Sequence, residues 1–255
     1  MTEATASANG TTPALQFVDV RKRFGQSVAL GGFSLTVEPG ESFGLAGVNG
    51  AGKTTLIKCL LDFCNTDGGS IRIFGVDHQT TAARARLAFL PERFNPPYYL
   101  RGRDFLRYIV ELQGAGYRED EAQSMLQALD LDLSALTKPV RAFSKGMTQK
   151  LGLAGCLLGR KDLFILDEPT SGLDPKARAL LKQQLRDLRS RGHTIFFTSH
   201  ALADVEEICD RMAVIHAGEL RFCGTPAALR AQYAASSLEA AFLASIEAAA
   251  QLETT

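Results

Sequence analysis

Gly47-Val48-Asn49-Gly50-Ala51-Gly52-Lys53-Thr54-Thr55 satisfies every fixed position of the pattern G-x-x-x-x-G-K-[ST]. Few short segments constrain a fold as strongly, because such a loop works between a buried strand and a helix. Its backbone amides turn toward phosphate groups, and the helix start adds a partial positive charge. Side chains in place of the glycines would block that approach. The flanks agree with this reading. Ser42-Phe43-Gly44-Leu45-Ala46 is short, uncharged and mostly apolar, as expected of a buried parallel strand. Leu56, Ile57, Leu60 and Leu61 follow at helical spacing. Lys53 is expected to reach the β- and γ-phosphates of a triphosphate and the Thr54 hydroxyl to ligate Mg²⁺. Gly47, Asn49, Gly50, Gly52 and Thr55 complete the cradle.

Length and charge narrow the class. At 255 residues and 45% apolar, the chain can bury a substantial core as one large domain or one with an insertion. Lys plus Arg equals Asp plus Glu at 28 each, so no net field attracts nucleic acid or an anionic membrane. No uncharged apolar run approaches the ~20 residues that span a bilayer, and the N-terminus lacks a signal-peptide pattern. These features predict a soluble, cytoplasmic protein, with residues 1–13 as a disordered tail. An odd count of five scattered cysteines argues against a disulfide framework. Cys59 and Cys64 are close in sequence, but no neighbouring histidine suggests a metal site, so all five read as ordinary thiols.

Strands are expected at Leu15 to Val20, Phe33 to Val37, Ser42 to Ala46, Ser70 to Phe74 and Leu87 to Leu90. Gly31-Gly32, Pro39-Gly40 and Gly68-Gly69 punctuate them. From about Arg101 to Leu129 the pattern is helical, with Phe105, Ile109 and Leu112 on one apolar face and Met125, Leu126 and Leu129 on another. This region looks inserted. Alternation then resumes with a strand at Leu163 to Leu166, a charged helix near Asp174 to Arg191 and a strand at Thr194 to Thr198. A helix at Ala201 to Cys209, strands at Met212 to Ile215 and Glu219 to Phe222, and short closing helices complete the reading. Such alternation implies a mostly parallel sheet flanked by helices.

Two strand ends add chemistry. Leu163-Phe164-Ile165-Leu166 runs into Asp167-Glu168, and ligands of open α/β sheets bind at the carboxyl ends of strands. Asp167 therefore falls where Mg²⁺ is needed, and Glu168 where a carboxylate orients or deprotonates an attacking water. Thr194-Ile195-Phe196-Phe197-Thr198-Ser199 ends in His200, placed to hydrogen-bond a γ-phosphate.

Taken together, residues from about Leu15 to Leu229 resemble the ATP-binding subunit of an ABC transporter. Phe143-Ser144-Lys145-Gly146-Met147 stands where that family has its Leu-Ser-Gly-Gly-Gln signature, retaining Ser144 and Gly146. Ser171-Gly172-Leu173-Asp174 resembles the family's D-loop, and Phe24 holds the position of the aromatic that stacks on adenine. The Q-loop glutamine is replaced by Glu92, which can accept a hydrogen bond or ligate Mg²⁺ but, when ionised, cannot donate. Together with Ser-Lys-Gly-Met, this variant is similar to bacterial exporter-type subunits.

The resemblance implies an α/β fold. Its parts are a P-loop NTPase core with a mostly parallel sheet, an N-terminal antiparallel β subdomain and an inserted α-helical subdomain. The ATP-binding domain then covers residues 14–235, with the helical part at about 92–160, and residues 236–255 form a C-terminal helix and tail. It also implies ATP and Mg²⁺ as ligands, with Lys53, Glu168 and His200 catalytic and Thr54, Glu92 and Asp167 around the metal. ATP hydrolysis would drive transport, with export the expected direction. A second ATP-binding subunit, in a head-to-tail dimer, would close each site with its signature residues Ser144 and Gly146, and Asp174 of the D-loop is a further nucleotide-binding residue. A separate membrane-spanning partner would dock between Glu92 and Arg107, near Tyr98 and Tyr99, placing the chain peripherally on the cytoplasmic face of the inner membrane. A soluble ATPase of DNA repair or translation is the alternative, opposed by the neutral charge and the absence of a second cassette.

Overall fold

A computed structural model describes residues 11–253 of the chain. Strands β1 (Leu15–Phe24), β2 (Ser27–Val37) and β3 (Ser42–Ala46) precede helix α1 (Lys53–Leu60). Next come β4 (Gly68–Ile73), β5 (Val76–Asp77), α2 (Thr81–Arg84) and β6 (Leu87–Leu90). Three helices follow: α3 (Gly102–Leu112), α4 (Glu119–Ala128) and α5 (Lys145–Leu158). The alternation resumes with β7 (Leu163–Asp167), α6 (Pro175–Ser190), β8 (Thr194–Ser199) and α7 (Leu202–Ile208). β9 (Arg211–His216), β10 (Glu219–Gly224), α8 (Pro226–Gln232) and α9 (Leu238–Glu253) close the order.

Two sheets result. The larger has the order β10-β9-β3-β8-β7-β6 and is parallel except for β10; the smaller, β2-β1-β4-β5, is antiparallel. This is the expected α/β class. β3, β7 and β8 are buried at every position, which is why each is apolar through its middle rather than alternating. Alternation still sorts their side chains. Phe164, Leu166, Ile195 and Phe197 face the core shared with the helices, whereas Leu163, Ile165 and Phe196 face the core shared with the antiparallel sheet. Phe43 and Phe196 stack there at 6.1 Å between ring centroids, a contact that contributes about 1 kcal/mol beyond burial.

Several local expectations change. The helical stretch from 101 to 129 is two helices, α3 and α4, because Gly114 adopts φ +79 and turns the chain. The buried side of α3 is Phe105, Leu106 and Val110, while Leu112 is 70% exposed. Gly31 and Gly32 do not end a strand. They lie inside β2, where the pairing with β1 shifts register and Gly32 takes φ +113, as at a bulge. The last helix, at 16 residues, is not short; Leu238 and Phe242 bury one side of it against the core. The expected tail over residues 1–13 lies outside the described residues except for Thr11 to Pro13, which form neither helix nor strand.

Candidate ATP-binding site

Register brings the functional strand ends level. In the parallel sheet β8 lies between β3 and β7, with Ala46 beside Ser199 and Asp167 beside Thr198. The loop after β3, the acidic pair ending β7 and the histidine after β8 therefore open on one side. Between them lies a cavity of about 470 Å³, lined by Gly47 to Thr55 together with Ala29, Glu92, Asp167, Glu168 and His200. Residues as far apart as Asn49 and His200 thus line one cavity.

Gly52 starts α1. It has φ +113, a Cβ there would lie 2.7 Å from the Ala29 carbonyl oxygen, and no side chain caps the helix. The first-turn amides of α1 accordingly lack a side-chain acceptor, and the helix dipole adds to their attraction for an anion. Lys53 is buried, and its Nζ donates to the carbonyl oxygens of Gly47 at 2.5 Å and Val48 at 3.2 Å. These bonds fold the ammonium back over its own loop. Burial lowers the Lys53 pKa, against the opposing pull of the Glu168, Asp167 and Glu92 carboxylates. An anion in the cavity would offset that lost solvation.

One residue missed in the sequence organises the acidic end: Thr198, fully buried. Its hydroxyl donates to Asp167 Oδ1 at 2.6 Å and accepts from the Glu168 amide at 3.0 Å. An apolar strand ending in Thr-Ser-His was the available signal. Glu168 has φ +49, a costly angle for a residue with a Cβ. That turn aims its carboxylate at His200, whose amide and Nδ1 lie 3.3 and 2.8 Å from Glu168 Oε2. With Nδ1–H donated to Glu168, Nε2 of a neutral ring is an acceptor. Hence His200 can donate to a phosphate while holding Glu168 only as the imidazolium.

Burial raises the Asp167 pKa above its ordinary 3.8, reinforced by Glu92 and Glu168 and opposed by Thr198 and Lys53. A raised carboxyl pKa stabilises the fold at low pH, and this contribution is lost as pH rises through the folded-state value. Asp167→Asn should therefore raise the melting temperature of the nucleotide-free protein at neutral pH and flatten its pH dependence between the ordinary 3.8 and the raised folded-state value. It should at the same time weaken Mg²⁺-dependent ATP binding. Thermal melts between pH 5 and 8 test the first part; a variant no more stable than the parent would contradict it.

The donor set suits a hard divalent cation. The Thr54 hydroxyl and the Asp167 and Glu92 carboxylates are oxygen ligands on one cavity, and Mg²⁺ takes one or two carboxylates with phosphate oxygens and water. Three carboxylates facing one ammonium would otherwise repel a triphosphate.

The remaining sequence-predicted residues lie elsewhere. Ser144, Gly146 and Asp174 do not line the cavity. Ser144 Oγ caps α5 by accepting from the Met147 amide, and Asp174 caps α6 by accepting from the Ala177 amide. Lys145 is exposed, and its stem passes close to Gly172, so these two caps share a surface patch. Phe24 is 54% exposed at the end of β1, beyond the cavity lining, with Lys22 Nζ 5.4 Å from its ring centroid. A core role for Phe24 is therefore ruled out.

The sequence profile of the family described as "ABC transporter" matches residues 30–171, more than half of the chain. The chain belongs to the ABC transporter family. Its cavity is the candidate nucleotide site. An uncharacterized ABC transporter ATP-binding protein of Synechocystis sp. is 40% identical over 75% of this chain. A second, from Nostoc sp., is 41% identical over 78%. The chain spans 55% and 60% of the lengths of these two relatives. The Nod factor export ATP-binding protein I of Burkholderia lata is 38% identical over 84% of this chain and 72% of its own.

Among solved structures, an ATP-binding subunit of an ABC transporter superposes with a TM-score of 0.80 at 28% identity, covering 91% of this chain and 99% of that one. A dimeric ATP-binding cassette bound to ADP and Pi reaches 0.75 at 19% identity, covering 83% and 98%. That second likeness concerns the fold alone.

Proposed function

We propose that this ABC ATPase domain hydrolyses Mg²⁺-ATP in a head-to-tail dimer and so powers export through a separate membrane-spanning partner. One observation carries the proposal. Lys53, Asp167, Glu168 and His200 converge on the cavity, while Ser144, Gly146 and Asp174 stand on a patch apart from it. Half a site faces each way, so two copies related head to tail complete both.

In this reading the loop amides and Lys53 hold the phosphates, and Phe24 stacks on adenine. Bound Mg²⁺, held by Thr54 and Asp167 with Glu92 nearby, would withdraw charge from the phosphate oxygens. Glu168 accepts a proton from the attacking water, and His200 keeps that carboxylate aimed. Ser144 and the start of α5 supply donors to the γ-phosphate across the dimer, so ATP bridges the subunits and ADP does not. Such a ligand shifts the monomer–dimer balance through its different affinity for the two states.

Export is supported by the Nod factor export relatives and by the Ser-Lys-Gly-Met and Glu92 variants. Among the described residues, no helix is long and apolar enough to cross a membrane. An apolar groove of about 170 Å³ between β6, α3 and α5 offers the docking place, lined by Leu87, Phe89, Phe94, Ile109 and Leu112 among others. Tyr98 and Tyr99, four and five residues after the groove-lining Phe94, are each 67% exposed and packed edge to face on each other. Exposed aromatics of this kind mark a protein contact. The chain would accordingly sit on the cytoplasmic face of the inner membrane.

Affinity capture from detergent-solubilised membranes tests this. The wild-type chain should recover a multi-spanning protein. Tyr98→Ala with Tyr99→Ala should lose at least about 10-fold of that recovery, equivalent to ~1.4 kcal/mol, with ATP affinity unchanged. Recovery solely with ribosomes or DNA would overturn the transport reading.

A further inference from the structure

Helix α1 ends in a turn that the ATP-binding site does not use. Asp62 takes φ +61, the Phe63 amide donates to the Lys58 carbonyl and the Asp62 amide to that of Cys59. These bonds form a Schellman cap, which reverses the chain within a few residues. The reversal lays Cys64 back over Cys59, with the sulfurs 3.5 Å apart. Cys59 is fully buried and Cys64 is half-buried at the same spot. A disulfide needs the sulfurs at about 2.05 Å, so they must approach by only about 1.5 Å.

We propose that Cys59 and Cys64 are a reversible oxidation site, closing to an intramolecular disulfide in the presence of a hydroperoxide. Cys64, the more accessible sulfur, attacks the peroxide oxygen as a thiolate; the O–O bond breaks, Cys64 becomes a sulfenic acid and, for hydrogen peroxide, water leaves. Cys59 then attacks the Cys64 sulfur, the S–S bond forms, and its proton departs with the hydroxyl as a second water. Two thiols lose two electrons and one peroxide gains them. A thioredoxin-class dithiol reverses the step.

Charge around the pair is mixed. Lys22 on β1 favours a thiolate at this spot and Asp67 opposes it, as does the negative end of α1. Burial drives the Cys59 pKa up to about 12, so Cys59 stays protonated until Cys64 has been oxidised.

The turn also gives the modification somewhere to act. Phe63 lies between the cap residue Asp62 and Cys64, is 68% exposed and packs edge to face on Phe89 at 6.2 Å. Phe89 lines the apolar groove beside β6. Closing the disulfide pulls on the segment that carries Phe63, which alters that face; its effect on docking rests on the partner role proposed above.

The oxidation itself is tested without that role. Both cysteines fall in one tryptic peptide, residues 59–72. Folded protein treated with excess hydrogen peroxide should show that peptide lighter by about 2 Da, restored by a dithiol. Cys64→Ser and Cys59→Ser should each abolish the shift. The chain has no tryptophan, so Phe63→Trp adds a single emission reporter, expected to change on oxidation and to stay fixed when combined with Cys64→Ser. Irreversible oxygen addition at Cys64 alone, disulfide-linked dimers through this peptide, or no reaction in folded protein would overturn the proposal. A shifted peptide with unchanged reporter emission would overturn its effect on the groove face.

Discussion

Glu168→Gln should bind ATP with nearly unchanged affinity and lose steady-state hydrolysis by about 10²–10⁴-fold, the usual worth of a positioned general base. The substitution keeps the shape and leaves an oxygen to accept from His200, but it removes the proposed acceptor of water's proton. The environment explains why no neighbour substitutes. Asp167 is bound to Thr198 at 2.6 Å and is the proposed metal ligand, while Glu92 comes from the segment after β6. Turnover and equilibrium nucleotide binding, measured on the same preparation, decide the matter. Undiminished turnover would remove Glu168 from the role of base; loss of binding would make its role structural.

Lys53→Ala should weaken ATP binding by on the order of 10²-fold or more, since charge-assisted bonds to phosphate contribute roughly 1.5–3 kcal/mol each. Folding should suffer little. The ammonium is buried and lowered in pKa, so its charged form costs the apoprotein desolvation, and its bonds to the Gly47 and Val48 carbonyls largely offset that cost. Lys53→Met, which retains the aliphatic stem, should match the alanine variant in binding and equal or exceed it in melting temperature. Calorimetric titration with ATP and thermal melts without it separate the two effects. Nearly wild-type affinity in both variants would mean that the loop amides hold the phosphates without the lysine.

The parts of this site that could be read in the sequence are those whose chemistry is carried by contiguous residues. The loop from Gly47 to Thr55 announces itself because backbone approach, helix start and lysine all fall within nine positions. β3, β7 and β8 were legible because both of their faces are buried, so their middles are apolar and uncharged. What was not legible depends on tertiary pairing. Thr198 bridges Asp167 and Glu168 from the neighbouring strand, and nothing near it in sequence indicates a partner 31 residues away. The pairing of His200 with Glu168, and hence the constraint on its proton, likewise arises from the register of β7 and β8.

Misread punctuation has one common cause. Gly31-Gly32 and Gly114 are both glycine signals, yet one bends a strand within its ladder and the other ends a helix. Backbone freedom marks a change of direction and not its kind. The approach of Cys64 to Cys59 belongs to the same class: Asp62 folds the chain back, and an aspartate in the left-handed region gives a weaker signal than a glycine there.

The central claim is that this chain holds half of each of two ATP sites. Sedimentation of Glu168→Gln with saturating Mg²⁺-ATP tests it most directly. The subunit of 27.5 kDa should run as a dimer with ATP and as a monomer with ADP or without nucleotide, and Ser144→Arg should abolish the ATP-dependent dimer while leaving ATP binding in place. A protein that remains monomeric with ATP bound at saturation, or a dimer indifferent to nucleotide and to Ser144, would contradict it.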